Sequence, residues 1–152
     1  MSPRQKRIEK IVAHRQKELD GIVGQLAAQK ARELAAQRTA EAADEATRQA
    51  EVRRRELGQS GTDAMTFLEA GDWLDTASRH AMLAWAEVRN QRQATAKIQQ
   101  LVISAKMKLK QAEHLSSRVA LAERRVVERK ERRRDDEDAA RIAQRRSAGA
   151  LK

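Results

Sequence analysis

Few side chains in this sequence suit covalent or metal chemistry, and their spacing is wrong for it. The histidines are His14, His80 and His114, scattered with no metal-ligand spacing, and there is no cysteine. Asp135, Asp136, Glu137 and Asp138 form the densest acidic run. A hard cation wants several oxygens converging on one point, whereas consecutive residues of a helix point in different directions. The sequence has no nucleophile elbow and no phosphate-binding glycine loop. It therefore predicts no enzyme, no cofactor and no metal site, and leaves binding as the chemistry to look for.

Three surfaces carry the side chains for binding. Between positions 89 and 118 the basic residues are Arg89, Arg92, Lys97, Lys106, Lys108, Lys110 and Arg118, with Glu113 the one acid. A solvated face needs less one-sided charge than this, so an acidic partner is the sharper reading. Further on, Arg124, Arg125, Arg129, Lys130, Arg132, Arg133 and Arg134 precede the acidic run. Glu128 with Arg132, and Glu137 with Arg141, stand in the favourable i,i+4 order. The third surface is apolar: Met65, Phe67, Leu68, Trp73, Met82 and Trp85. Two readings compete there. Phe67, Leu68 and Trp73 pack beneath a turn, or the group is an exposed docking patch of the Met- and aromatic-rich kind found at interfaces.

The elements that must position these surfaces are long helices. With Leu74 at heptad position a, the a column reads Leu74, Ala81, Val88, Thr95, Val102, Leu109, Ser116. The d column reads Ala77, Ala84, Gln91, Ile98, Ala105, Ala112, Val119, Val126. Neither Pro nor Gly interrupts residues 74–126. A narrow apolar seam of this kind belongs to a coiled coil and requires a partner helix. Helix 1 supplies one. Its columns are Ile8, Arg15, Ile22, Gln29, Ala36, Ala43, Ala50, Leu57, and Val12, Leu19, Leu26, Glu33, Ala40, Thr47, Arg54. Ser2 and Pro3 open it with a cap and a first-turn proline, and Gln5 completes a capping box. Gly21 and Gly24 lie inside it, either as tolerated weak spots or as a bend or close contact.

Gly58-Gln59-Ser60-Gly61 is the clearest break. The sequence predicts helix 1 over about 3–57, a tip over about 58–72 and helix 2 over about 73–147. In the tip, Thr62 or Asp63 caps a short helix through Ala70, Gly71 closes it, and Asp72 caps helix 2. The fold class is all-α: two long helices in an antiparallel coiled-coil hairpin with a short helical tip, the second helix longer. At 1.5 Å per residue the arms measure roughly 80 and 110 Å. Residue 8 then lies near residue 122, and roughly 25 residues of helix 2 overhang, by the same rise. Such a rod has no concave pocket in which to desolvate a substrate.

The totals agree. Charged residues make up 36% and aromatics 2% of 152 residues, too few large side chains for a thick core and typical of long helix. Disorder is the alternative for so polar a chain, and the length of the heptad pattern argues against it. The net charge of +10 implies an acidic partner without choosing nucleic acid, lipid or protein. The first residues, Met-Ser-Pro-Arg-Gln-Lys-Arg, lead into no apolar leader and no membrane-length run. The expected location is cytoplasmic or peripheral, with no membrane insertion.

The run at 123–146, ERRVVERKERRRDDEDAARIAQRR, looks like the C-terminal end of the FliJ/YscO (SctO) proteins. Size, unequal hairpin and basic balance extend that likeness over essentially the whole length. The chain thus resembles the central stalk proteins of flagellar and injectisome type III secretion. The family is similar in fold to the γ stalk of rotary ATPases. The resemblance implies a non-catalytic coupling protein, located at the secretion apparatus on the inner membrane. Its paired ends would sit in the pore of a hexameric secretion ATPase, promoting assembly and activity, and its other end would reach the export gate. Some members also handle export chaperones. On this reading Arg4, Lys6, Arg7, Lys10, Arg124, Arg125, Arg129, Lys130, Arg132, Arg133 and Arg134 bind the ATPase. Met65, Phe67, Leu68, Trp73, Met82 and Trp85 form the gate or partner docking tip.

Two other readings compete. One is a basic hairpin that binds RNA or another acidic partner; no aromatics are interleaved with its basic residues, and the acids at 135–138 would repel phosphates. The other is a phage or cell-division coiled coil, as a parallel homodimer or a dimer of hairpins.

Overall fold

A computed structural model describes residues 1–150 as two α-helices, α1 (Pro3–Ser60) and α2 (Ala64–Ala150), joined by a three-residue loop. The two helices pack on each other as an all-α hairpin with the second helix the longer. Their residues group into two compact units: Glu18–Ala105, which holds the loop, and Met1–Lys17 with residues 106–150.

In the unit that holds the loop, burial follows the heptad columns. Leu19, Gln29 and Ala40 of α1 are buried, as are Ala81, Val88, Thr95, Val102 and Ala105 of α2. Between them Ile22, Leu26, Glu33, Ala36, Ala43, Thr47, Ala50 and Leu57 are half-buried. Arg54 is the exception on its column and is exposed. Most of these side chains are small, and Val88 is the largest that solvent cannot reach at all. A seam of alanine and valine brings the helices close but removes little apolar area per layer from water. A polar layer interrupts it. Gln29 Nε2 donates to Gln91 Oε1 at 2.6 Å and to the Gln91 carbonyl at 3.2 Å. Gln91 Nε2 donates to Glu87 Oε1 at 2.7 Å. Thr95 Oγ1 lies 2.7 Å from Glu33 Oε2 and 2.9 Å from the Gln91 carbonyl. Arg92 Nε completes the group, 3.8 Å from Glu33 Oε1. Among the described residues no buried side-chain polar atom lacks a partner, as a polar layer inside a seam requires.

The loop corrects the expected tip. α1 runs on through Gly58 to Ser60, and Gly61 takes the left-handed conformation at φ 74°. The Thr62 amide then donates to the Leu57 carbonyl at 3.4 Å, the six-to-one bond of a Schellman turn. Asp63 caps α2: its Oδ1 accepts from the Thr66 amide at 2.7 Å. That backbone hydrogen bond holds the Asp63 carboxyl below its ordinary range, because it favours the charged form. The tip is helical, as expected, but not a separate helix. α2 passes through Gly71 and Asp72 without a stop. An interior glycine costs only about 1 kcal/mol, and buried Ala70 and half-buried Leu74 anchor the turn on either side.

The turn is held by Phe67. Its ring edge would lie 3.4 Å from a Cβ placed on Gly58, and the Arg54 guanidinium stands 5.1 Å from its centroid. That distance is within reach of a cation–π contact. Further along, Trp85 Nε1 donates to Asp44 Oδ2 at 3.0 Å, tying α2 to α1 from the flank of the seam.

In the other unit Ile8 is buried against the stretch of α2 that buries Leu109, Ala112 and Val119. The capping box is present: the Gln5 amide donates to Ser2 Oγ and the Ser2 amide to Gln5 Oε1, both at 3.1 Å. Ser2 Oγ also donates to Glu123. Ile8, six residues further along α1, is then level with about residue 117 rather than 122. The shorter loop shifts the register this way, and it leaves Val126, expected in the seam, exposed.

Candidate functional site

The candidate binding residues fall at two places, one in each unit. Where α1 begins, α2 continues. Every residue from 124 to 150 is helical and exposed. This stretch carries ten Arg or Lys and six Asp or Glu. Arg124, Arg125, Arg129, Lys130, Arg132, Arg133 and Arg134 all reach solvent. Arg4, Lys6, Arg7 and Lys10, in the same unit, are exposed as well. Arg141 pairs with Asp138 at 4.0 Å, both well exposed, a contact of little energetic weight. Val126 and Val127 line an open groove with Met1, Gln5 and Ala120 at the step where the paired seam becomes a single helix. A helix charged on every side and paired with nothing is the form that a partner completes.

The second place is the start of α2. The structure divides the six apolar tip residues. Met65, Leu68, Trp73 and Met82 are exposed, whereas Phe67 and Trp85 are half-buried in the contacts above. The expectation that Leu68 and Trp73 pack beneath the turn is corrected: Trp73 is 73% exposed and Leu68 64%. Leu68 falls on the outer side of α2, and the aromatic set against α1 is Phe67, beside Gly58 and Arg54. Leu83, 70% exposed, belongs with this surface and was not singled out from the sequence. At 100° per residue it falls on the same side of the helix as Met65, which a helical projection would have revealed. Glu69, Asp72 and Asp75 are exposed on the same outer arc. Sequence reading passed over them because whole-chain charge hides a local reversal of sign.

The basic residues at 89–118 are exposed, as expected for positions off the seam. Among the described residues no group of three or more His, Asp or Glu side chains converges on a cation position, and no helix is long and apolar enough to cross a membrane. No protein-family model, curated protein or solved structure matches the chain.

Proposed function

We propose that the chain is a non-catalytic central stalk of a bacterial type III secretion system, acting at the apparatus on the cytoplasmic side of the inner membrane. It couples a hexameric secretion ATPase to the export gate and promotes the ring's assembly and activity. The observation that carries the reading is the unpaired end of α2, where residues 124–150 are helical, exposed and net basic. A single helix beside a two-helix end is narrow enough for a ring pore, and its cations suit acidic pore loops. The likeness of residues 123–146 to the C-terminal end of the FliJ/YscO proteins supports the same reading. The apolar face at the start of α2 would then serve the gate, and export chaperones are further candidates as partners.

The test is ATP hydrolysis by the cognate secretion ATPase. The full chain at stoichiometric amounts raises the rate, and a chain ending at Val126 does not. Reversing Arg132, Arg133 and Arg134 to Glu weakens ring binding, most visibly at low salt, where exposed charges interact most strongly. An ATPase indifferent to the full chain overturns the proposal.

A further inference from the structure

Exposed large hydrophobics occur along both helices, and most are about half exposed, between 44% and 58%. Apart from Met1, five exceed that range among the described residues: Met65, Leu68, Trp73, Met82 and Leu83, at 64–73%. All five lie in the first six turns of α2. Four of them, Met65, Leu68, Met82 and Leu83, fall within about 100° on its outer arc, away from the columns that face α1, and Trp73 stands about 80° round from Met65 on the flank. Single exposed hydrophobics need no explanation, but four on one arc of one helix, with an exposed indole at its flank, mark an interaction site.

The same stretch reverses the charge of the protein. Residues 56–88 contain six acids and a single Arg or Lys, Arg79, a net charge of −5. The remaining residues carry a net +15, which restores the overall +10. Glu69, Asp72 and Asp75 stand exposed among the apolar side chains. This combination turns away phosphate backbones and anionic lipid, the two partners that the total charge would suggest.

From this juxtaposition we infer that residues 65–83 of α2 dock a basic amphipathic helix of another protein. Its apolar side would lie along Met65, Leu68, Met82 and Leu83, and its edge would reach the Trp73 indole on the flank. Its Lys or Arg side chains would meet Glu69, Asp72 and Asp75. From residue 65 to 83 the face is about 27 Å long at 1.5 Å per residue, enough for an amphipathic segment of about five turns laid on a helical surface. The charge reversal selects the occupant, because an apolar face alone would accept either sign. The inference rests on reading this tip as a docking end. It does not depend on the secretion machinery, and the two fail separately, one in ATP hydrolysis and the other in peptide binding.

The experiment uses the full chain and a synthetic Leu/Lys amphipathic peptide roughly two heptads or more in length. In a Trp85→Phe background, Trp73 is the sole indole, and its emission shifts to the blue as the edge of the peptide packs against it. Calorimetric titration of the unaltered chain gives the affinity without relying on that variant. The expected result is saturable binding that weakens as salt rises. It weakens by about tenfold or more in Glu69→Lys/Asp72→Lys/Asp75→Lys, and similarly in Met65→Ser/Leu68→Ser. Binding that survives the charge reversal overturns the inference, since the peptide would then sit elsewhere. No binding overturns it too. So does a Trp73 shift produced instead by a Leu/Glu peptide or by phosphatidylserine vesicles. Self-association of the full chain abolished by Met65→Ser/Leu68→Ser would make a second copy the occupant and likewise overturn it.

Discussion

Single residues decide where this chain turns, and the glycines show how. Gly61 is the only residue with positive φ among those described, and the loop closes around it. Gly21 and Gly24 have nothing within 4 Å of where a Cβ would stand, and α1 is unbroken through both. The sequence left a bend or close contact open at these two positions, and the structure holds no close contact there within the chain. Opposite stability effects follow. Gly21→Ala and Gly24→Ala should each raise stability by up to about 1 kcal/mol, the interior helix propensity difference. Gly61→Ala should lower it, because alanine is strained in the left-handed region. Thermal melts followed by circular dichroism check this. A loss on Gly21→Ala or Gly24→Ala would show that these positions touch something outside the chain. Glycine type alone did not separate the three, since propensity weighs them equally and only backbone conformation distinguishes them.

At the scale of the helices, the heptad columns were legible because a two-helix seam leaves one face per helix to bury. From Ile8 to Leu57 in α1 and from Leu74 to Val119 in α2, the residues of both columns are buried or half-buried except Arg54. The boundary at the tip was less legible. Gly58, Gly71 and Asp72 carry stop and cap chemistry, but packing by Phe67, Ala70 and Leu74 outweighed it, so the break shrank to the loop. The Gln29–Gln91 and Thr95–Glu33 layer also escaped the sequence reading. Four polar residues at seam positions look like defects until they are seen to satisfy one another. Such a layer gives up stability for register. Gln29→Leu with Gln91→Leu should therefore raise the melting temperature. It should also loosen pairing, read as mixed products when single cysteines placed at Ala50 and across the seam near position 78 are oxidised within one chain. Unchanged stability with unchanged pairing would deny the layer a role in register.

For the molecule as a whole, the charges are sorted along the chain, with an acidic, apolar start to α2 and a basic remainder. The exposed side chains of the outer arc at 65–83 and of residues 124–150 do not contribute to the seam, so folding and binding should separate. Residues 124–150 bury no side chain, and exposed surface of this kind contributes within about 0.5 kcal/mol per substitution. A chain ending at Val126 should keep the melting temperature of the full chain within a few degrees, an order-of-magnitude allowance for lost surface contacts. It should lose helical signal only in proportion to the residues removed. On the proposed function the same truncation abolishes ATPase stimulation, so a stable hairpin without activity would assign the role to the overhang itself. If truncation instead lowers the melting temperature sharply, the overhang supports the fold, through self-association or otherwise. Loss of stimulation would then report a damaged hairpin and not a missing contact. Measuring both on one variant separates these explanations, because exposure alone predicts that they diverge.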